Sequence, residues 1–233
     1  MSKNVIIVGG GIAGLAASIF LARAGRSVTI FEKRRILGGR AVTHLRQGYR
    51  FNLGPHALYR RGAGATVLRQ LGIPMRGGTP PSAGVALRDG KRHRFPGTIA
   101  SLLITDLLPI KAKVEAASLL ARVNRIKVAP LAAMSFRDWL DSRVAHPEVR
   151  QFVEAIGRLA TYSDHPELQS AATVVGQIQI ATRGVLYLDE GWQKLVDSLH
   201  SSAISAGVSF VTSSRVVAID HDGQSVRGVE LGG

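Results

Sequence analysis

Three glycines near the start of the chain have a spacing suited to binding a phosphate group. Gly9, Gly11 and Gly14 give the pattern G-x-G-x-x-G directly after residues 4–8. Residues 4–8 are apolar and β-branched, which predicts a strand buried on both faces of a parallel sheet. In this pattern the first glycine permits a tight turn and the second admits a pyrophosphate close to the backbone. The third lets a helix pack closely on the preceding strand. The spacing therefore predicts a dinucleotide site at a strand-to-helix turn.

The elements that follow have the order that such a site requires. Residues 12–24 are rich in alanine and leucine and predict a helix, with Ile12 and Ala13 in its first turn, where free amides favour an anion. Residues 27–31 predict a second strand, which stops at Glu32. Glu32 follows the glycines by the roughly 20 residues expected of the acid that binds a ribose hydroxyl. An acid there is typical of NAD and FAD sites and disfavours NADP.

A secretory signal peptide is the alternative interpretation of the same apolar stretch. A leader needs a positive start, an apolar run and a small-residue cleavage site. The glycines at 9, 10, 11 and 14 weaken a continuous helix, and the β-rich residues 27–31 have no place in a cleaved leader. The strand, turn and helix account for each residue, so we expect the dinucleotide site.

A second glycine pair separates FAD from NAD. Gly38 and Gly39 are followed by Arg40, and a bare NAD site gives no reason for them. Residues 52–59 then read NLGPHALY. With the first motif, the acid after the second strand and Arg34, these residues resemble the flavin-dependent amine oxidase and phytoene desaturase superfamily, especially its bacterial desaturase-like members.

The resemblance implies how FAD would be held. In that family the Gly-Gly-Arg loop lies along the FAD pyrophosphate and ribityl chain, and the Gly-Pro segment approaches the isoalloxazine ring. Arginine is a fork-shaped partner for phosphate, and glycine lets the backbone come close to a ring. The chain departs from the family at Asn52, where many members have aspartate. The implied contacts are Gly39, Arg40, Gly54, Pro55 and His56.

A third stretch, residues 188–231, resembles the family segment that returns to the FAD domain. It predicts a helix after Gly191, a strand at 208–211 and a hairpin of strands around an Asp-Gly turn. In the family, the main chain at the position of Val216 meets the adenine. The motif and the resemblance together give the candidate FAD-binding residues Gly9, Gly11, Ile12, Ala13, Gly14, Glu32, Lys33, Arg34, Gly38, Gly39, Arg40, Gly54, Pro55, His56 and Val216.

The predicted fold class is α/β. A Rossmann-like FAD-binding domain with a parallel sheet is expected to carry a mostly helical inserted substrate (cap) domain. We assign residues 1–60 and 188–233 to the discontinuous FAD-binding domain, whose C-terminal part is missing by comparison with the family. Residues 61–187 are assigned to the helical substrate domain.

Local patterns suggest elements inside the insertion. Helical periodicity runs over residues 101–128 and 135–144, and Pro147 opens a further helix. The stretch at residues 79–84, which contains proline and glycine, is typical of a linker or turn.

Composition excludes several classes of function. The chain has 233 residues, no cysteine and a formal net charge of +14. Thiolate metal sites and a cysteine nucleophile are therefore excluded, and the scattered histidines indicate no metal site. No nucleic-acid motif accompanies the charge, so no nucleic-acid partner is expected. The apolar runs are too short or too glycine-rich to span a membrane, so we expect a cytoplasmic protein.

The sequence is also consistent with a membrane surface as a partner. Basic residues cluster at 88–97, ahead of a stretch at 98–127 that fits an amphipathic helical region. Peripheral contact with anionic lipid is one interpretation of this pattern. An ordinary solvated helix face opposite a buried one is the other.

The resemblance implies an FAD-dependent oxidoreductase that moves a hydride from an organic, apolar or isoprenoid-like small-molecule substrate to the flavin. No catalytic acid or base is identified. Family members are usually much longer, so a fragment, a naturally short relative and one half of a split enzyme with a partner chain are all consistent. An unfinished sheet edge also favours a homo-oligomer. The alternatives are a non-catalytic nucleotide-binding module and an NAD-dependent dehydrogenase.

Overall fold

The computed structural model describes residues 4–81 and 84–232, and these contain both strands and helices. The strands are β1 (Asn4–Val8), β2 (Ser27–Phe31), β3 (Thr43–Arg46), β4 (Tyr49–Asn52), β5 (Leu58–Tyr59), β6 (Gly77–Gly78), β7 (Val85–Arg88), β8 (Lys91–Arg94), β9 (Val185–Leu188), β10 (Ser209–Val211), β11 (Val216–His221) and β12 (Val226–Leu231). The helices are α1 (Ile12–Arg23), α2 (Ala63–Leu71), α3 (Ile99–Ile104), α4 (Ile110–Val123), α5 (Phe136–Arg143), α6 (Pro147–Thr161), α7 (Ala171–Thr182) and α8 (Gln193–Ser205).

The chain divides into two compact units. The first unit comprises Met1–Thr79 and Val185–Gly233, and the second unit comprises Pro80–Gly184. Each unit has its own cluster of buried apolar side chains.

A parallel sheet forms the centre of the first unit. Its strand order is β1-β2-β10, with Asn4 opposite Ser27 and Val8 opposite Phe31. The core beside this sheet includes side chains of α1, β2 and α8, among them Leu15, Ile19, Ile30, Leu195 and Leu199. Small antiparallel pairings complete the unit: β3 with β4, β11 with β12, and β9 with both β5 and β6. The predicted strand, glycine turn, helix and second strand are all confirmed.

Glycine determines where α1 ends. The helix stops at Arg23, and Gly25 follows with φ of +75°. A left-handed residue just past a helix satisfies its last carbonyls, and glycine adopts that conformation without a side-chain clash. The amide of Gly25 accordingly donates to the Ala22 oxygen at 2.9 Å. The chain can then turn back directly into β2.

Strand β1 differs from the expectation of a strand buried on both faces, and that expectation is wrong. β1 pairs only with β2 among the described residues and lies at the edge of the sheet. Ile6 is 40% and Val8 is 55% exposed. An edge strand leaves one row of backbone groups without a hydrogen-bond partner, and here apolar side chains of the strand are also exposed to solvent.

The second unit is mainly helical. Helices α4 to α7 bury one face each, including Ala116, Phe136, Leu140, Val149 and Val174. The predicted helix after Ser135 is confirmed as α5, and the one opened by Pro147 is confirmed as α6.

Two features of the second unit differ from expectation. The helix predicted over residues 101–128 is broken into α3 and α4, because Pro109 disfavours a helical residue before it and starts α4 afresh. The basic stretch at 88–97 contains the turn and the second strand of a hairpin of β7 and β8, with Asp89 and Gly90 at positive φ in the turn. The predicted "mostly helical" insertion therefore also carries sheet.

The unit boundaries differ from those expected at residues 60 and 188. Helix α2 buries Leu68 and Leu71 in the core of the first unit, so residues up to Thr79 belong with that unit. Strand β9 belongs there as well, because it pairs with β5 and β6. The linker expected at residues 79–84 contains the point where the units divide, although its Ser82 and Ala83 lie outside the described residues.

No helix in the described part of the chain is long and apolar enough to cross a membrane. The same residues contain no group of three or more histidine, aspartate or glutamate side chains that could hold a metal ion.

Candidate functional site

The glycine turn between β1 and α1 is held by backbone contacts. Gly9 has φ of +103°, and its amide donates to the Phe31 oxygen at 2.8 Å. A Cβ on Gly14 would collide with the Gly9 carbonyl oxygen, so only glycine lets α1 start this close to the strand. These two glycines therefore have the turning and packing roles that the motif predicts.

Gly11 has a different environment. Its φ of −77° is open to any residue, and a Cβ there would meet nothing within 4 Å. A side chain at this position would extend into free space in front of the helix. No side chain caps α1 in the described structure, and its first turn contains no acidic residue. The first-turn amides, including those of Ile12 and Ala13, have no intrahelical acceptor and are suited to an anion.

Glu32 lies beside this turn and is buried, with 7% of its surface exposed. Its Oε2 accepts the Gly10 amide at 2.8 Å, and its Oε1 accepts the Arg34 amide at 2.9 Å. Each carboxylate oxygen has two lone pairs, so one acceptor position on each oxygen remains for a ligand hydroxyl. The sequence motif assigns no role to Gly10. Its position between Gly9 and Gly11 is the one sequence signal that could have pointed to it.

The second glycine pair contacts the first. The Gly38 amide donates to the Gly10 oxygen at 2.8 Å, and Gly38 forms a parallel bridge with Gly11. Gly38 and Gly39 have φ of +113° and +57°, which glycine adopts readily. A Cβ on Gly39 would lie 3.7 Å from the Gly11 Cα, so the two backbones approach closely. Arg40 follows in a short 3-10 turn with its side chain exposed.

The Gly-Pro segment lies against this loop. A Cβ on Gly54 would fall 2.5 Å from the Arg40 oxygen, so this glycine permits the contact between the two segments. The neighbouring Leu53 amide donates to the Val42 oxygen at 3.1 Å. Pro55 is half-buried and His56 is exposed.

Residues 211–216 approach the same edge of the sheet from the C-terminal side. The Ser214 amide donates to the Glu32 oxygen at 3.0 Å, and the Ser213 amide donates to the Arg34 oxygen at 3.1 Å. Val216 follows at the start of β11 and is half-buried, while Lys33 is exposed between the two bonded positions. The candidate residues thus form a continuous set at the carboxyl end of the parallel strands, where ligands of open α/β sheets bind.

Asn52 has a structural role that the sequence did not reveal. Its Oδ1 accepts the Thr43 hydroxyl at 2.7 Å and the Trp192 amide at 3.3 Å. The Thr43 hydroxyl oxygen in turn accepts the Gln193 amide at 3.1 Å. Two free amides at the start of α8 are therefore capped by side chains from β3 and β4. These contacts bridge more than a hundred residues of sequence, and no local signal indicates them.

Known proteins are similar to this chain over nearly its whole length. The model of the family described as flavin containing amine oxidoreductase matches residues 12–231. A 4,4'-diaponeurosporene oxygenase of Staphylococcus aureus (strain USA300) is 24% identical over 270 residues, covering 99% of this chain and 53% of the relative. The chain thus spans about half the length of the curated relatives it matches.

Solved structures show the same fold. An oxidoreductase from Methanosarcina mazei has a TM-score of 0.75 at 20% identity, covering 98% of this chain and 56% of that one. Putrescine oxidase bound to putrescine has a TM-score of 0.70 at 20% identity, covering 100% of this chain and 55% of that one. Both likenesses extend over both units of the chain.

Proposed function

The chain belongs to the flavin-containing amine oxidoreductase family, and from that premise we propose that it is the FAD-binding portion of an FAD-dependent oxidoreductase. Membership confirms the predicted resemblance, the Rossmann-type α/β fold and FAD as the cofactor. An NAD-dependent dehydrogenase and a non-catalytic module are not favoured.

The observation that supports this proposal is the juxtaposition of two backbone segments in front of α1. The backbones of Gly11 and Gly39 lie close together, and the position where Gly11 would carry a side chain is empty. The first turn of α1 has no side-chain cap. We assign the FAD pyrophosphate to the first-turn amides of Ile12 and Ala13, where a side chain on Gly11 would obstruct it. The exposed Arg40 is assigned to neutralise the same phosphates.

Glu32 is proposed to accept a hydroxyl of the adenosine ribose. Its two bonds to Gly10 and Arg34 fix the carboxylate and leave acceptor positions on both oxygens. The main chain at Val216 is assigned to the adenine, and Gly54, Pro55 and His56 are assigned to the isoalloxazine side. Lys33 and Arg34 directly follow Glu32 and are assigned to the same adenosine end of the cofactor.

The redox chemistry of the proposed reaction, transfer of a hydride from the substrate, would be supplied by bound FAD. The residues of this chain bind and orient the cofactor, and none is assigned as a catalytic acid or base. We propose an organic, apolar substrate, because a matching relative is a 4,4'-diaponeurosporene oxygenase. The substrate domain is proposed to lie mainly in the second unit.

Polypeptide partners follow from the exposed edge of β1. The side chains of Ile6 and Val8 are exposed there. The curated relatives are about twice as long as this chain. We propose that a further polypeptide segment covers this edge, either in a longer form of the protein, in a partner chain or in a second copy. We also propose a cytoplasmic protein that contacts anionic membranes peripherally, because its second unit combines basic residues with exposed apolar ones.

The first test is a visible absorption spectrum of the purified chain, with the released cofactor identified after denaturation. A flavin spectrum with FAD released is expected. A colourless protein that also fails to take up added FAD would contradict the proposal for this chain on its own.

A pair of variants tests the site itself. Gly11→Ala places a methyl group in the proposed pyrophosphate position and is expected to weaken FAD binding by at least about tenfold. Gly78→Ala is the matched control, because a Cβ there also meets nothing within 4 Å and lies on β6. Equal FAD affinity of both variants would contradict the assignment of the pyrophosphate to Gly11.

A further inference from the structure

Helices α3 and α4 each expose large apolar side chains. Ile99 and Leu103 are spaced by one helical turn on α3, as are Ile110 and Val114 on α4. All four are between 67% and 80% exposed. Ile104 adds a fifth exposed side chain, at 64%. These five residues are called the α3–α4 ridge below.

Contacts within the second unit hold the two helices of the α3–α4 ridge together. The Lys113 ammonium on α4 donates to the Leu103 oxygen near the end of α3 at 2.8 Å. On the inner side Leu102 and Ala112 are buried. The outward direction of the α3–α4 ridge therefore follows from the packing of the opposite helix faces.

The hairpin of β7 and β8 is fixed beside the α3–α4 ridge. The Thr105 hydroxyl, just after α3, donates to the Arg94 oxygen at 2.6 Å. The Arg88 guanidinium donates to the Leu107 oxygen at 3.2 Å. An open cavity of about 620 Å³ lies between hairpin and helix, with Arg92, Arg94, Ser101 and Ile104 among its lining residues.

The charge around the α3–α4 ridge is strongly positive. Residues 85–114 contain six lysine and arginine residues and two aspartates. Both aspartates face basic groups already, since Asp89 lies 3.6 Å from Arg88 and Asp106 lies 3.0 Å from His93. Four further basic residues are exposed and available to an external anion: Lys91, Arg92, Arg94 and Lys111.

We propose that the α3–α4 ridge inserts into the surface of a bilayer that contains anionic lipid, with the basic hairpin contacting the headgroups. This assignment rests on the peripheral membrane association proposed above and gives it a location. Apolar side chains on one helix face beside lysine and arginine match the boundary between acyl chains and anionic headgroups. The cavity is lined by Arg92, Arg94 and the apolar Ile104, the two kinds of side chain that a headgroup phosphate above an acyl chain requires.

Vesicle sedimentation of the full chain tests the proposal. Vesicles of phosphatidylcholine mixed with an equal amount of phosphatidylglycerol are expected to bind the wild-type chain at low salt, and pure phosphatidylcholine vesicles are expected to bind it far less. The variant Ile99→Ser/Leu103→Ser/Ile110→Ser is expected to lose about 100-fold in partition coefficient, because three exposed apolar groups no longer insert. The control Leu159→Ser/Leu168→Ser changes two equally exposed leucines elsewhere in the second unit and is expected to bind like the wild type.

The outcomes separate the two proposals. Absence of wild-type binding to either vesicle would refute the membrane association itself. Binding of the triple variant at the wild-type level would refute the α3–α4 ridge while leaving the association in place. Self-association in solution that only the triple variant abolishes, without vesicle binding, would identify a protein-protein surface and overturn the membrane assignment.

A fluorescent probe gives a readout that does not depend on affinity. The sequence has no cysteine, so Leu103→Cys can be labelled alone with an environment-sensitive fluorophore. Its emission is expected to shift to the blue on anionic vesicles, whereas the same label at Leu168→Cys is expected to stay in water. Equal spectra at the two positions on bound protein would show that the α3–α4 ridge does not insert.

Discussion

The amide of Gly10 donates a hydrogen bond of 2.8 Å to Oε2 of Glu32, and both groups are buried beside the turn that opens α1. This bond joins the first glycine motif to the acid 22 residues later in the sequence. The same carboxylate therefore fixes the turn and is the proposed acceptor of a ribose hydroxyl. Under that proposal, a substitution of Glu32 affects both stability and cofactor binding.

Replacing Glu32 is expected to affect both properties. In Glu32→Ala the amides of Gly10 and Arg34 lose their acceptor, which is expected to lower the free energy of unfolding by about 2 to 4 kcal/mol. FAD affinity is expected to fall as well, since the ribose loses its acceptor. Urea unfolding without FAD and calorimetric titration with FAD measure the two effects separately.

Glu32→Gln serves as the control for this variant, because its amide oxygen can still accept one of the two amides. Its stability is expected to lie between those of the wild type and Glu32→Ala. An Ala variant that is as stable as the wild type and binds FAD equally well would contradict the assigned role.

Substitution by alanine is expected to destabilise the protein at one glycine of the first motif and not at another. A Cβ at Gly14 would collide with the Gly9 backbone, which cannot move without disturbing β1. Gly14→Ala is expected to lower the free energy of unfolding by about 3 kcal/mol. Gly11→Ala meets open space and is expected to leave that energy nearly unchanged. Denaturant unfolding of both variants checks this, and equal losses would show that the turn does not have the described packing.

The sequence predicts this part of the fold well because its signals are local. Strands β1 and β2, helix α1 and the hairpin around Asp222 and Gly223 each follow from glycines and apolar runs within a few residues. Asp89 and Gly90 are also typical of a hairpin turn. Strand β8 was not predicted, because its basic residues show no alternation of apolar and polar side chains. Pro109 likewise marks the break between α3 and α4.

Long-range contacts could not be predicted in the same way. The bonds from Thr43 and Trp192 to Asn52 join β3, β4 and α8 across residues far apart in the sequence. The exposure of Val8 depends on which strand lies beside β1, and residue types alone predict a buried strand. The position of Glu32 in the candidate site was predictable from the sequence, whereas its bond to Gly10 depends on how the turn folds back on β2.

The cap that Asn52 provides to α8 is expected to contribute about 1 to 2 kcal/mol to the free energy of unfolding. Asn52→Ala removes the acceptor for the Thr43 hydroxyl and the Trp192 amide. Asn52→Asp retains an acceptor and adds a negative charge near a helix N-terminus, so it is expected to keep the wild-type stability. Thermal unfolding measures both. As a control, Asn124→Ala removes only an exposed bond to Thr182 and is expected to change stability by less than about 0.5 kcal/mol.

Glu115 on α4 is expected to make the second unit sensitive to acid. Burial acts to raise the pKa of Glu115, but bonds from the Ala145 amide at 2.7 Å and from His146 outweigh it, so this pKa lies below its ordinary value of 4.5. A lowered pKa in the folded state adds stability above pH 4.5 that is lost as the pH falls through the folded value.

Glu115→Gln is therefore expected to lower the free energy of unfolding at neutral pH by about 1 to 2 kcal/mol, and the difference from the wild type is expected to shrink below pH 4.5. Urea unfolding at a series of pH values measures that difference. The exposed Glu230 on β12 provides the control, since Glu230→Gln is expected to leave the profile unchanged. A Glu115→Gln profile that runs parallel to the wild type down to the acid limit would show that these bonds do not depend on the charge of the carboxylate.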